Sequence, residues 1–511
     1  MAGMSDTLTQ DELESYLWGA ATILRGLVDA GDYKQFIFPL VFYKRLSDVW
    51  DEDYAEALAD YDDSEELALA QANERFVIPE GAHWNDLRKA AKNVGKAIQD
   101  AMRAIEAANP GRLEGIFGDA PWTNKNRLPD HTLKSLLEHF SGQVLSIARV
   151  PEDMLGDGYE YLVGKFADDG GSTAQEFYTN RTLVHLMAQM LKPQDGESIY
   201  DPTCGTGGML LSALAEVRRT GGDQRTLGLY GQERNHMTAS IARMNLVLHG
   251  VEDFEIKRGD TLARPRFVEG DRLRTFDVVL ANPPYSIKRW NREAWGADAW
   301  GRNFLGTPPQ GRADYAFFQH ILKSMDPETG RCAILFPHGV LFRKAEQDLR
   351  QKLVEADLVE CVLGLGPNLF FNSPMEACVV FCRSEKPAAR KGRILFIDAV
   401  NEIARERAVS FLRPEHQQRI FGAYEAFGDE SSFSKVATLD EVAARGHNLS
   451  IPLYVKRVVK KKKKKAAEDS GARSLSEVWT EWEQEDRAFW QQMDVLVDTL
   501  NDLVSEEGAR G

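Results

Sequence analysis

From Glu176 onward the chain repeats one unit, a short apolar run closed by Gly, Asp or Pro and followed by a segment with helical spacing. That alternation is the signature of a mostly parallel sheet with helices on both faces. Seven strands are expected, at Ser198–Tyr200, Leu227–Gly231, Glu255–Arg258, Asp277–Ala281, Arg331–Phe336, Leu358–Leu363 and Ala377–Phe381. Open sheets of this class bind ligands where a strand turns into the next helix, so those turns are where chemistry is sought.

The preceding region has a different pattern. Over residues 11–60, Leu13, Leu17, Ala20, Ile23, Leu24 and Leu27 recur on one helical face, and similar patterns run to about residue 148. The expected division is a helical N-terminal domain (1–148), an α/β domain (149–455), a basic linker (456–473) and a C-terminal helix (474–511). The linker follows from KRVVKKKKKK at 456–465, which no packed core holds and which phosphate contact would alternatively explain. In the last segment Ser474 and Glu477 have capping-box spacing. Leu475, Trp479, Trp482, Phe489, Met493, Leu496, Leu500 and Leu503 form a seam, interrupted at Asp486, that needs a packing partner; a partner subunit's helix is favoured over the chain's own body.

A chain of 511 residues, 43% hydrophobic, is long enough for about three structural units. A net charge of -16 argues against a surface that grips nucleic acid on its own, because phosphate contacts come from Lys and Arg. No apolar stretch approaches the roughly 20 residues of a membrane helix, and MAGMSDTLTQDELE lacks signal-peptide character, so a cytoplasmic location without membrane contact is expected. The five cysteines are dispersed, without a CxxC pair, and suggest neither disulfides nor a metal site. Cys378 and Cys382 have same-face strand spacing and are expected in the core.

Two motifs carry chemistry. DPTCGTGGML, residues 201–210, joins a strand to the helix Met209–Val217, and glycines 205, 207 and 208 let a ligand lie against the backbone. The spacing is neither GxGxxG nor GxxxxGK[ST], so neither a dinucleotide nor an ATP phosphate is the natural guest; Asp201 could instead pair with a cationic amino group. NPPY, residues 282–285, ends the strand Asp277–Ala281 with an amide, two rigid residues and an aromatic ring.

DPTCGTGG resembles the S-adenosylmethionine loop of Rossmann-like methyltransferases, and NPPY resembles the catalytic tetrapeptide of those acting on a planar nitrogen. The order EFYTNR, DPTCGTGG, GQE, GD, NPPY is similar to that of adenine-N6 DNA methyltransferases. LWGAATILRGLVDAGDYKQFIFPLVFYKRLSD resembles the N-terminal helical domain of the HsdM family, the modification subunits of type I restriction-modification systems.

This resemblance, over roughly residues 11–455, implies a seven-stranded Rossmann-like methyltransferase with S-adenosylmethionine as cofactor. Its pocket would use Glu176, Phe177, Tyr178, Thr179, Asn180 and Arg181 as a first wall and Asp201, Thr203, Cys204 and Gly205 as the loop. Glu233 would face the ribose hydroxyls and Asp260 the adenine amino group, with an Asx turn as the structural alternative for Asp260. Asn180 stands where the family usually has proline; it can still start the helix Thr182–Met190 as a cap. Asn282 and the carbonyl of Pro283 would accept from the target amine, Pro283 and Pro284 would hold that carbonyl rigid, and Tyr285 would stack on an extruded base. Lys288, Arg289, Arg302 and Arg312, in the Trp- and Gly-rich stretch after NPPY, are expected to touch the target strand; His320 is expected on a helix face rather than in catalysis.

The implied partners are double-stranded DNA, a specificity subunit of HsdS type, a second copy of this chain and a restriction/translocase subunit. Missing features fit them: no PC dipeptide for cytosine-C5 chemistry, no Walker A sequence, and no segment long enough for target recognition. Transfer to protein glutamine and a non-catalytic DNA-modification scaffold are the alternatives. Cytosine-N4 transfer is chemically open too, although Ser commonly opens that group's tetrapeptide.

Overall fold

The computed structural model describes residues 7–169, 180–251, 253–367, 369, 376–406 and 409–456. The chain from residue 457 onward, with most of the expected linker and the C-terminal helix, lies outside them.

The first helix, α1 (Gln10–Leu24), starts on a capping box in which the amide of Glu12 donates to Thr9 Oγ1 and the amide of Thr9 donates to Glu12. Its buried face is Leu13, Leu17, Ala20, Ala21 and Leu24. Leu27 departs from the expected stripe and is exposed, because Arg25 leaves helical geometry (ψ 128°) and ends α1 two residues earlier. The long α2 (Lys34–Asp60) and α3 (Glu152–Asp169) complete the centre of this region, with Phe38 packed on Tyr159 and Phe166.

Beyond it, α4 (Arg181–Leu191) leads into a mixed sheet of nine strands. In chain order these are β1 (Ser198–Asp201), β2 (Gly228–Glu233), β3 (Phe254–Arg258), β4 (Val278–Ala281), β5 (Arg331–Pro337), β6 (Val359–Leu365), β7 (Ala377–Arg383), β8 (Arg393–Ala399) and β9 (Ser434–Thr438). Their spatial order is 9-8-6-7-5-4-1-2-3, with only β7 and β9 antiparallel to their neighbours. All seven expected strands are present; β8 and β9 extend the sheet past β6 in a region whose short runs were not counted as strands from sequence. Side chains alternate between two cores, Ala333 and Leu335 of β5 facing one and Cys332, Ile334 and Phe336 the other, the period of two that a strand buried on both faces requires. Cys378 and Cys382 share a face, as expected.

The order reverses between β1 and β4, the switch point where crossover helices leave in opposite directions and open a crevice at the strands' C-terminal ends. DPTCGTGG follows β1 and NPPY follows β4, so topology alone makes the two motifs neighbours. Helix α5 (Gly208–Arg219) leaves β1, and α6 (His236–Leu248) leaves β2. Helix α6 is buried on two sides: Ala239, Ala242 and Leu246 pack on the sheet, and Ile241, Met244 and Leu248 join the helical core. No helix among the described residues is long and apolar enough to cross a membrane.

The opposite ends of the strands are closed by side chains. Asp277, just before β4, accepts from the amide (2.9 Å) and hydroxyl (2.8 Å) of Ser198 and from Thr329 Oγ1 (2.5 Å). Arg331 donates to the carbonyls of Leu191 (2.6 Å) and Lys192 (2.8 Å) and in bidentate fashion to Glu197.

Candidate functional site

Glycine shapes the loop after β1. Gly205 (φ +52°) and Gly207 (φ +85°) take left-handed backbone, and a Cβ on Gly205 or Gly208 would meet nothing within 4 Å. The loop therefore offers bare backbone to an open cavity. It is tied down from beneath: the Cys204 amide donates to the Gln232 carbonyl (3.0 Å), and Asn245 of α6 donates to the Thr206 carbonyl (3.0 Å). Gly231 leaves room for the Cys204 side chain, whose Sγ would lie 2.8 Å from an added Cβ. Burial pushes the Cys204 thiol up, which makes it a packing group.

Asp201 ends β1, buried, with Oδ1 accepting from the Thr203 amide at 2.9 Å. Its pKa is pushed up to about 7, chiefly by burial and further by the nearby Glu233 carboxylate, against the lowering effect of the Thr203 bonds. Glu233 ends β2 and reaches over the glycine loop, accepting from the amides of Gly205 (3.1 Å) and Asn235 (2.7 Å). Asp260 forms the Asx turn that was the alternative reading: Oδ1 accepts from the amides of Leu262 (3.1 Å) and Ala263 (3.0 Å), and Oδ2 faces Arg234 at 3.7 Å.

Two adjoining cavities share the loop. The larger, about 750 Å³, is lined by Glu233, Asp260, Pro283, Pro284 and, from the helical region, Asp32, Phe38 and Phe166. The smaller, about 360 Å³, is lined by Asp201, Cys204, Arg181, Glu160 and His185. Thr203, Gly205 and Asn282 line both. The larger lies within the range of about 300–1,000 Å³ usual for small-ligand sites.

Arg181 is held by Asp157 (3.0 Å) and Glu160 of α3, an ion pair joining the helical region to the mouth of the smaller cavity. Asn180 caps α4: its Oδ1 accepts from the Thr182 amide (3.0 Å), and its Nδ2 donates to the Ser410 carbonyl (3.0 Å). Its side chain lines neither cavity, so its place in the structure is that of a cap. Glu176, Phe177, Tyr178 and Thr179 lie outside the described residues.

NPPY leaves β4 with Asn282 half-buried, its amide oxygen turned inward, and with the Tyr285 hydroxyl buried beneath a half-buried ring. Burial pushes the tyrosine hydroxyl well above its ordinary pKa, so Tyr285 is neutral. The next residue, Ser286, takes φ +52° and donates its amide to Asp314 at 2.7 Å. Asp314 opens α7 (Asp314–Lys323), is wholly buried, and binds Arg343 at 2.7 Å through its other oxygen. This clamp fixes the turn out of NPPY. Asp314 and Arg343 were not singled out from sequence, where the one available signal was an acid in the first turn of a helix.

The stretch after NPPY corrects one expectation. Lys288, Arg289 and Arg312 are exposed, but Arg302 is 1% exposed, paired with Asp298 and flanked by Trp295 and Trp300. A guanidinium sharing a loop with two indoles was drawn inward by ion pairing and ring contact, and it does not face a target strand. His320 is also buried, on α7, and burial with the adjacent Arg302 holds its pKa well down, so it is neutral.

Strand order, glycine loop and NPPY together define a Rossmann-like methyltransferase. Among the described residues no cluster of His, Cys, Asp and Glu could hold a metal ion. The chain belongs to the N-6 DNA methylase family, whose profile matches residues 150–464, and the HsdM N-terminal domain matches residues 13–140. It is 30% identical over 482 residues to the type I restriction enzyme MjaIX methylase subunit of Methanocaldococcus jannaschii, covering 87% of this chain and 84% of that one. The HindI methylase subunit of Haemophilus influenzae is 29% identical over 418 residues, covering 74% and 89%. The crystal structure of the type I restriction-modification methyltransferase subunit from Streptococcus thermophilus superposes with a TM-score of 0.77 at 31% identity, covering 88% of this chain and all of that one.

Proposed function

We propose that this chain transfers a methyl group from S-adenosylmethionine to N6 of an adenine extruded from double-stranded DNA, as the modification subunit of a type I restriction-modification system. The observation that carries the reading is the position of Asn282 on the wall shared by both cavities, one rimmed by Glu233 and the other floored by Asp201. The open side of Gly205 and the two carboxylates fit a ligand with a vicinal diol at one end and an ammonium at the other. When bound, the cofactor supplies an electrophilic methyl on sulfonium sulfur. Glu233 then holds the ribose hydroxyls, Asp260 the purine edge, and Asp201, ionised beside the ammonium, the amino-acid end.

The chain's own part in the reaction is to prepare the acceptor nitrogen. An exocyclic adenine amine donates poorly because its lone pair is delocalised into the ring. The side-chain oxygen of Asn282 and the carbonyl of Pro283 accept its two N–H bonds and draw the nitrogen toward tetrahedral geometry. Neither proline carries a competing N–H, and the Asp314–Ser286 bond keeps the turn in register. Tyr285 supplies a ring for the extruded base, and Lys288, Arg289 and Arg312 contact phosphate. Domain 1–148 together with α3 walls the larger cavity in part, through Asp32, Phe38 and Phe166, and the rest of 149–455 performs transfer. The apolar seam of residues 475–503, carried beyond the basic linker 456–473, contacts a separate specificity subunit, which chooses the sequence. A second copy of this chain and a restriction/translocase subunit complete the assembly, in the cytoplasm.

The test is transfer of labelled methyl to duplex DNA, with the product nucleoside identified, by this chain alone and with the specificity subunit. N6-methyladenine formed only with the partner supports the reading. Bound cofactor without methylated DNA in either case moves the substrate to protein or the chain to a scaffold.

A further inference from the structure

All five N–H donors of the buried Arg302 guanidinium are engaged. Nε donates to Asp298 Oδ1 (3.0 Å); Nη1 faces the Thr261 carbonyl (2.9 Å) and His320 Nδ1 (3.3 Å); Nη2 faces the Leu262 carbonyl (2.8 Å) and Asp298 Oδ1 (2.6 Å). Its Cζ lies 4.6 Å from the Trp295 ring centroid and 5.0 Å from that of Trp300. The two carbonyls it grips belong to the turn that Asp260 closes from the other side through the amides of Leu262 and Ala263. The Thr261 hydroxyl in turn donates to the Pro202 carbonyl (2.5 Å), at the start of the glycine loop.

We infer that Arg302 is a positioning residue for the cofactor pocket: from the segment after NPPY it fixes the Asp260 turn against the glycine loop. The inference rests on the reading of these loops as an S-adenosylmethionine site. Neutral His320 completes the arrangement, since an unprotonated Nδ1 accepts from Arg302 and leaves Nε2–H for the Tyr200 hydroxyl at 3.2 Å. Lysine cannot substitute, because three donors on one atom do not span two carbonyls, a carboxylate and an imidazole in one plane.

A matched control exists within the molecule. Arg331 is likewise buried and grips two carbonyls and a carboxylate, but at the far ends of the strands. The experiment measures S-adenosylhomocysteine affinity by calorimetry on the full chain, alongside the thermal midpoint, for wild type, Arg302→Lys, Asp298→Asn and Arg331→Lys. The expected result is about tenfold or greater weakening in Arg302→Lys, a smaller weakening in Asp298→Asn, and wild-type affinity in Arg331→Lys despite a similar fall in midpoint. Should Arg302→Lys not fold, Asp298→Asn alone decides against Arg331→Lys. Wild-type affinity in both loop variants, or equal weakening in Arg331→Lys, overturns the inference. Absence of binding by the wild-type chain overturns the cofactor reading itself, and this inference with it.

Discussion

The two ends of the sheet use the same residue types to opposite effect. At the strands' starts, Asp277 receives three donors from Ser198 and Thr329, and these bonds together with Arg331 hold its pKa below the usual value although burial pushes the other way. At the strands' C-terminal ends, Asp201 is buried with one amide bond (2.9 Å) and one long hydroxyl contact (3.5 Å), both from Thr203, and with a second carboxylate nearby, and its pKa rises to about 7. Arg331 at the first end and Arg302 at the second each spend a full set of donors, one on strand and helix ends, the other on a loop. The difference teaches which polar groups the fold consumes and which it holds for a ligand: carboxylates matched by internal donors stabilise, and carboxylates buried short of donors are poised for a cation.

Variants should separate the two ends. The largest effect is expected from Asn282→Ala, with methyl transfer falling by about 10²–10³-fold, the usual scale for deleting one preorganised polar group, while S-adenosylhomocysteine binding is retained. Radiolabel transfer and calorimetry check it; substantial residual transfer would remove Asn282 from the mechanism. Next, Arg331→Ala should cost about 3 kcal/mol in urea unfolding, because it removes a buried guanidinium that ties the Leu191 and Lys192 carbonyls to the half-buried Glu197, yet leave transfer per folded molecule within about twofold at permissive temperature.

Glu233→Ala should weaken S-adenosylhomocysteine by about 10–100-fold through lost hydrogen bonds to a charged acceptor, without a comparable loss in stability. A stability loss with unchanged affinity would place Glu233 with Asp277 as a structural acid. The pH dependences should run in opposite senses. Asp201, with its folded pKa raised to about 7, contributes stability that is complete below its unfolded value and lost as pH rises toward and through neutrality. Asp277, with its folded pKa lowered, contributes stability that is present above its unfolded value and lost as pH falls through the depressed folded value. Unfolding midpoints from pH 3 to 8 should therefore lose their neutral-side slope in Asp201→Asn and part of their acid-side slope in Asp277→Asn. Cofactor affinity should rise through about pH 7 in wild type and be flat in Asp201→Asn. The smallest effect is expected from Asn180→Ala, about 1 kcal/mol of stability for a lost helix cap and affinity within about twofold, since its side chain is engaged by Thr182 and Ser410.

What the sequence disclosed divides along similar lines. The strands, the glycine loop and NPPY are local patterns of period and turn chemistry, and the switch point between β1 and β4 brought them together as such patterns require. Asp260 was legible both ways, and the Asx turn is what the structure displays. Arg302 was not legible: in a Trp- and Gly-rich stretch a lone arginine resembles a phosphate contact, and only the approach of the Thr261 and Leu262 carbonyls from another turn draws it inward. The positive φ of Ser286 and its bond to Asp314, 28 residues away, were hidden for the same reason, being set by packing rather than by neighbours in sequence.

That Thr203, Gly205, Thr206 and Asn282 line both cavities has a consequence for inhibitor chemistry. On the proposed reading, a compact nucleoside analogue would fill one cavity, whereas a jointed molecule spanning both would reach Glu233 and Asp201 at once. Because the larger chamber is walled partly by Asp32, Phe38 and Phe166 from the helical region, bulk added at that end of such a molecule would tell this chain apart from methyltransferases whose cofactor lies against the sheet domain alone.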